Sequence, residues 1–413
     1  MLATQSSRPS PLGRIAQGFS ALRNPNYRRY WLGQLVSMTG SWMQTTVQAL
    51  LVLQLSGSPL AIGLIAAFQF TPFLLLSLVG GVLADRVPRY RLIMITQVTS
   101  LILAAVFGAL VLSGAVQLWH VYLLALLLGT VNAIDQPVRQ AFAITLVSGA
   151  DRANAISLNS ILFNTARILG PALAGLLVSP IGIGGVLLLN AVSFAAVLIS
   201  MLRMDAQKHA MGSHQAGVSV RDELRQGLGY IRRTPSVLLP LVLVGVIGTF
   251  GYNFSVTLPL IGGFILHTTP IQYGLLGAAL GVGSLLAAVA SAYRRSATLR
   301  QLVFAAVAFS LLLGGAALVT HIWASMALLL VLGFAGVSFT TNASVQVQLH
   351  TPDDLRGRIT SIYQLLFAGT TPIGGLILGA AAAAFNVPFA LILCAALCLI
   401  GIALALVLHQ RRE

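Results

Sequence analysis

The chain has 413 residues, 57% of them hydrophobic and only 8% charged, where a soluble domain carries about 25% charged residues. Composition therefore excludes an ordinary soluble protein and places the chain in a membrane. The net charge of +15 is dispersed between apolar runs, which excludes a nucleic-acid binder with its basic residues gathered on one face.

In chain order, the first predicted element is short. Leu12, Ile15, Phe19 and Leu22 recur at helical spacing before Tyr30. The apolar core of a signal peptide is missing, so residues 1–29 are expected to be cytoplasmic, with an amphipathic helix on the membrane surface. Windows of about 20 apolar residues then predict twelve spans, at 30–55, 60–83, 92–113, 119–139, 158–178, 184–202, 236–257, 271–292, 301–319, 323–345, 361–384 and 387–408. Turn signals separate them, among them "SGSP" at 56–59, "SPIGIG" at 179–184 and "HTTP" at 267–270. Between spans 6 and 7 lies a polar linker, in which Val220, Leu224, Leu228 and Ile231 form one apolar stripe. That stripe predicts a helix at the inner membrane surface. Cys394 and Cys398 lie i,i+4 in span 12 without further ligands nearby, so no metal and no cofactor are expected.

With the N-terminus inside, 23 of the 24 basic residues fall in inner segments or, as Arg139 does, at the inner end of a span, and only Arg167 falls in the interior of one. Such a one-sided distribution fixes the orientation by the positive-inside rule, with both termini cytoplasmic. "DRANAISLN" leads into span 5 as "DLRGRITSIY" leads into span 11, and each run then reaches a Pro-Gly helix, "GPALAG" or "TPIGG". This weak repeat falls where a duplication would place it. The expected fold is an all-α membrane protein of twelve transmembrane helices, in two six-helix halves with pseudo-twofold symmetry. The expected domains are an N-terminal bundle at 30–203, a linker at 204–235, a C-terminal bundle at 236–408 and a tail at 409–413.

"GGVLADRVPRYR" follows span 2. Asp85 meets the negative end of that helix dipole, an unfavourable place for an acid unless a cation answers it. Arg86, Arg89 and Arg139 are candidates for such a latch, and solvated loop charges are the plainer alternative. The stretch resembles the signature of the major facilitator superfamily, with Gly81, Asp85, Arg86 and Arg89 in place and Pro88 where a glycine is usual. "ALRNPNYRRYWLGQLVSMTGSWM", "DQPVRQAF" and "LRGRITSIYQLLFAGTTPIGG" resemble the bacterial branch of that superfamily containing the enterobactin exporter and macrolide efflux proteins. This resemblance implies efflux driven by an ion gradient, usually of protons. "ARILGPALAG" resembles the span 5 motif of the superfamily's antiporters. Pro171 there can bend the helix, and Gly170 and Gly175 permit close approach; ordinary small-residue packing explains them equally.

Asp135 is the only acid assigned to a span, in the inner third of span 4 near its inner end. Arg139 lies at i+4 in the favourable order, and Arg167 lies about 14 Å into span 5. Three roles are open to Asp135: carrying the coupling proton, binding a cationic part of a substrate, or pinning spans 4 and 5 through Arg139 or Arg167. Residues 122–134 carry no charge, unlike the related exporters with an arginine in mid-span 4. Gln34, Ser37, Ser41, Gln44, Thr45 and Gln48 share one face of span 1, a stripe that lipid would not accept. Gln69, Asn132, Asn159, Asn164, Tyr252, Asn253, Gln272, Asn342, Gln346 and Gln364 complete the expected cavity, although interhelical hydrogen bonding serves any one of them as well. An uncharged polar lining of this kind suits a bulky, amphipathic, largely neutral small molecule.

An ATP-driven pump is excluded, since the sole lysine, Lys208, follows Gln207 rather than the glycine of a phosphate loop. An intramembrane enzyme lacks its acid–base constellation. The leading expectation is a monomeric, proton-coupled exporter of a siderophore or drug in a bacterial inner membrane. A facilitator or importer of a metabolite, or a non-transporting membrane partner, is the alternative.

Overall fold

The computed structural model describes residues 19–204, 220–293, 298–352 and 355–411, with backbone alone at 77–86 and 220–225. Among them there is no strand. The helices are α1 (Pro25–Ser56), α2 (Pro59–Arg86), α3 (Arg89–Leu112), α4 (Leu118–Thr145), α5 (Arg152–Leu202), α6 (Val220–Arg233), α7 (Pro235–Phe250), α8 (Phe254–Leu260), α9 (Pro270–Ala292), α10 (Leu299–Gly315), α11 (Ile322–Leu349), α12 (Arg356–Ala368), α13 (Thr371–Ala384) and α14 (Val387–Gln410). Among the described residues, nine helical stretches are long and apolar enough to cross a membrane. Large apolar side chains such as Leu75, Val192, Leu202, Phe304 and Leu404 are exposed on their outer faces, as contact with lipid requires.

Local chemistry sets the helix limits. The Asn24 side chain accepts from the Asn26 and Tyr27 amides at 2.9 and 3.2 Å and so caps α1, which Pro25 opens. Gly57, at φ 57°, closes it. Spans 5 and 6 follow one another without a loop as the two arms of α5, 51 residues in all. At about 1.5 Å per residue this is roughly 76 Å of helix, more than twice a bilayer core. It divides at Gly182, whose φ of 70° and ψ of 172° fall where only glycine sits without strain. Predicted span 7 breaks instead between α7 and α8, where the Gly251 and Tyr252 amides both turn back to the Ile247 carbonyl at 2.8 Å. Span 11 breaks between α12 and α13, where Pro372 cannot continue the helical ladder.

The first helices build one packed body. The first arm of α5 lies on α1, where a side chain at Gly170 would meet the Thr39 carbonyl oxygen at 3.0 Å and the Met43 nitrogen at 3.1 Å. Beneath it, Ser20 Oγ donates to Asp151 at 2.6 Å, Tyr27 OH to the Ala155 carbonyl at 3.0 Å and Trp31 Nε1 to the Leu158 carbonyl at 3.0 Å. These bonds tie the start of α1 to the start of α5. Helix α6 covers the other group of helices. Its Ile231 is buried, Gly227 sits against Ile359 and Ile362 of α12, and Tyr230 OH donates to the His350 carbonyl at 2.6 Å. Leu228, expected on the buried stripe, is exposed, because Gly227 lets α12 approach on that side instead.

Two seams join α1–α5 to α7–α14. In one, α5 crosses α9: a Cβ on Gly175 would lie 2.7 Å from the Pro270 carbonyl oxygen and 3.2 Å from the Gly274 Cα. In the other, α2 crosses α13: a Cβ on Gly63 would lie 2.6 Å from the Gly375 oxygen and 3.2 Å from the Gly379 Cα. Both seams are backbone against backbone, which only glycines allow.

Candidate functional site

Asp135 is 2% exposed and held from three helices. Its neighbour one turn along α4, Arg139, gives an Nε–Oδ2 ion pair of 2.6 Å. From α3, Thr96 Oγ1 donates to Oδ1 at 2.5 Å and Gln97 Nε2 reaches both oxygens at 3.3 Å. From α1, Gln34 Oε1 accepts from Arg139 Nη1 at 2.8 Å. The carboxylate therefore has a counter-ion and two further donors, as a buried charge requires. Helix α4 runs to Thr145, six residues beyond the predicted end of span 4. Asp135 thus lies deeper than expected, about 15 Å from that helix end.

Beside this group lies a polar cavity of about 40 Å³, lined in part by Ser41, Gln44, Thr45, Gln48, Gln69 and Asn132. A second, of about 20 Å³, shares Thr45, Gln48 and Gln69 and reaches Ser255 on α8. Together they hold about one or two waters and fall far short of a bulky solute. Several polar atoms nearby are poised for a partner: Gln34 Nε2, Ser37 Oγ and Gln48 Nε2 are buried without a hydrogen bond. Asn190 completes the lining and donates to Gln44 at 2.6 Å.

The remaining expected cavity residues do not line these cavities. Asn164 and Asn342 bond back to the carbonyls of Ser160 and Ser338 on their own helices. Gln272 closes a capping box with Thr269 at the start of α9. Gln346 is buried on α11 and Gln364 is exposed on α12. Tyr252 and Asn253 sit at the break between α7 and α8, where Asn253 is 1% exposed and its Oδ1 is unpaired. Of the latch residues, the side chains of Gly81, Asp85 and Arg86 lie outside the described residues. Arg89 is partly buried, with an unpaired Nε.

Arg167 stands apart from Asp135. It is 9% exposed and lies over the Phe254 ring, 5.9 Å from its centroid. Among the described residues Asp135 pairs with Arg139 alone of the arginines, so Asp135 and Arg167 are not joined in this arrangement. Gly170, Pro171 and Gly175 all serve contacts: Gly170 against α1, Pro171 against Gly274 and Gly277, and Gly175 against Gly274.

Sequence reasoning missed Thr96, Gln97, Asn190 and Phe254. Thr96-Gln97 and Thr99-Ser100 are two polar pairs in one apolar run, with nothing in the sequence to say which faces α4, whereas "TTPIQ" at the start of α9 carried a capping signature that removes Gln272 from the cavity.

The family model described as transmembrane secretion effector matches residues 16–412. The chain is 27% identical over 342 residues to an uncharacterised MFS-type transporter, YfiS, of Bacillus subtilis, covering 80% of each chain. It is 28% identical over 345 residues to the multidrug efflux pump Tap of Mycolicibacterium fortuitum, covering 80% of this chain and 82% of that one. A shorter match, 29% over 141 residues, is to the staphyloferrin A transporter of Staphylococcus aureus and covers 34% and 36% of the two chains. Among solved structures, the nucleoside transporter NupG superposes with a TM-score of 0.74 at 12% identity, covering 92% of this chain and 98% of that one. The chain belongs to the transmembrane secretion effector family: it is a multi-pass membrane transporter of the major facilitator superfamily and not an enzyme.

Proposed function

We propose that this transporter exports a bulky amphipathic small molecule, a siderophore or a drug, by proton-coupled alternating access across a bacterial inner membrane. The observation that carries the coupling half of this reading is the Asp135 constellation, a buried carboxylate joined to Thr96 and Gln97 of α3 and to Arg139, which in turn donates to Gln34 of α1. Protonating Asp135 removes the charge that holds Arg139. Arg139 then turns to other partners, and the packing of the three helices changes with it. The efflux half is supported by the relative named as a multidrug efflux pump and the one named as a staphyloferrin A transporter.

The reading takes twelve crossings. Nine stretches qualify by length and apolarity. The second arm of α5, the 32-residue α1 with its polar stripe and the 17-residue α10 bring nine plus three to twelve. Residues 30–203 and 236–408 then form two six-helix halves, with 1–29, 204–235 and 409–413 at the cytoplasmic face. Under a pseudo-twofold axis the α2/α13 seam and the α5/α9 seam are equivalent, each pairing the second crossing of one half with the fifth of the other. Rocking on these seams would part the smaller cavity, which runs from α1 and α2 to Ser255 on α8 and at about 20 Å³ admits no substrate until it opens. A monomer suffices for this cycle.

The test is transport in proteoliposomes. Counterflow of a labelled siderophore or drug without a gradient, and accumulation driven by an imposed pH gradient, support the reading together. In the Asp135→Asn variant, counterflow persists and gradient-driven accumulation is lost. Accumulation that survives this change removes Asp135 from coupling. Counterflow that never responds to pH favours a facilitator.

A further inference from the structure

We propose that Arg167 is the anchor for an anionic group on the transported molecule, with the aromatic cluster around Phe254 receiving that molecule's apolar body. Arg167 lies 15 residues from Arg152 and 15 from Gly182 in α5, about 22 Å from either end of that arm. A guanidinium there cannot shed its charge, and an unanswered charge at such depth is unfavourable. Among the described residues it has no ion pair and no hydrogen bond, and the Phe254 ring is its one charge-accepting contact. At 5.9 Å that contact sits at the outer edge of an effective cation–π distance and does not replace a counter-ion.

Neither acid among the described side chains supplies the missing anion. Asp135 is committed to Arg139, Thr96 and Gln97, and Asp151 accepts from Ser20 at the start of α5. The side chains of the other seven acids, Asp85, Asp205, Asp222, Glu223, Asp353, Asp354 and Glu413, lie outside the described residues. With both described acids committed, a bound molecule is the proposed source.

The surroundings say what kind of molecule. Phe254 belongs to α8, across the interface from α5, so the Arg167–Phe254 contact bridges the two groups of helices. Tyr252 packs 4.8 Å from Phe254 and 4.8 Å from Phe367, and Phe309 lies 6.1 Å from Phe254. Tyr252, Phe254 and Phe367 are only partly buried, so each ring keeps some exposed surface. A fork of donors beside an aromatic wall fits an amphipathic aromatic carboxylate, the carboxylate bidentate on the guanidinium and the ring against Tyr252 and Phe254. The proposal replaces the largely neutral substrate suggested by the polar stripe of α1. It rests on the transport reading only in calling the bound molecule cargo.

The experiment is equilibrium binding to the full chain in nanodiscs, with dansyl-phenylalanine and its uncharged amide as probes. Energy transfer from Trp42, packed on Gly170 one turn from Arg167, reports occupancy. A charge-assisted hydrogen bond at this site corresponds to a preference of about tenfold or more for the carboxylate. Arg167→Gln should erase that preference and leave the amide affinity within about twofold, while Arg167→Lys, a point charge without the fork, should keep part of it. Equal affinity of the wild-type protein for both probes overturns the proposal, as does binding of neither, or a preference that survives Arg167→Gln. The wild-type comparison stands even where a variant fails to fold. No gradient or turnover enters the measurement, so its failure is distinct from a failure of the export reading.

Discussion

Replacing Arg139 with glutamine should do more damage than replacing Arg139 and Asp135 together. The Asp135 side chain is 3% exposed and that of Arg139 18%. Arg139→Gln leaves a carboxylate buried with only Thr96 and Gln97 as donors. Removing one partner of a buried pair costs about 3–5 kcal/mol, and the two surviving donors argue for the lower end. Asp135→Asn/Arg139→Gln leaves two neutral amides, each able to donate and accept, at a cost of about 1 kcal/mol. Rescue by about 2 kcal/mol is roughly a thirtyfold gain in the folding equilibrium. Asp135→Asn alone should be mild, because the long, partly exposed Arg139 can turn toward water. Equilibrium unfolding by SDS in mixed micelles, followed by tryptophan fluorescence, reads all three. A double variant no more stable than Arg139→Gln would falsify the claim that the ion pair is what makes the site depend on Arg139.

Three further outcomes are expected. Gly182→Ala adds a Cβ that meets nothing within 4 Å, so its loss of about 1–3 kcal/mol in the same unfolding assay is backbone strain alone. Gly149→Ala, equally open at an ordinary φ, should be close to neutral, and equal effects at the two positions would refute that account. Gly175→Leu drives a side chain into the Pro270 carbonyl and should cut counterflow at least about fivefold through overpacking of about 1–3 kcal/mol; an unchanged rate would show that α5 and α9 need not stay in contact. Asn24→Ala removes both the α1 cap and the 2.8 Å bond to the Leu146 carbonyl. It should lower stability by about 1–2 kcal/mol, and no shift in the SDS midpoint would count against a structural role for the α1 start.

The long helices were legible because apolarity over about 20 residues is a property of the chain alone. Their interruptions were legible only in part. "SPIGIG" marked Gly182, whereas the breaks before Phe254 and Thr371 fall inside apolar runs, where the sequence offers only Gly251 and Pro372 as hints. At the site, Asp135 and Arg139 announced themselves as an i,i+4 pair. Thr96 and Gln97 did not, because their role depends on which face of α3 turns toward α4, and that is decided by packing. The same limit applies to Arg167. Its charge was evident, but its isolation is a tertiary fact, fixed by Asp135 having found partners elsewhere. Polar residues that bond to their own helices, Asn164 and Asn342, look identical in sequence to those that face a cavity.

The two glycine seams have a mechanical consequence. Interlocked side chains make a ratchet: sliding one helix past another means leaving one set of grooves for the next. At Gly175 on Gly274, and at Gly63 on Gly375 and Gly379, there are no teeth to disengage. At these crossing points α2 and α5 meet α13 and α9 with few side chains to disengage, Pro171 on Gly277 and Ile168 on Gly281 being the main teeth left on the α5 side. The resistance to tilt then resides largely away from these points, in the polar and charged contacts on either side of them, where a proton or a bound solute can act on it.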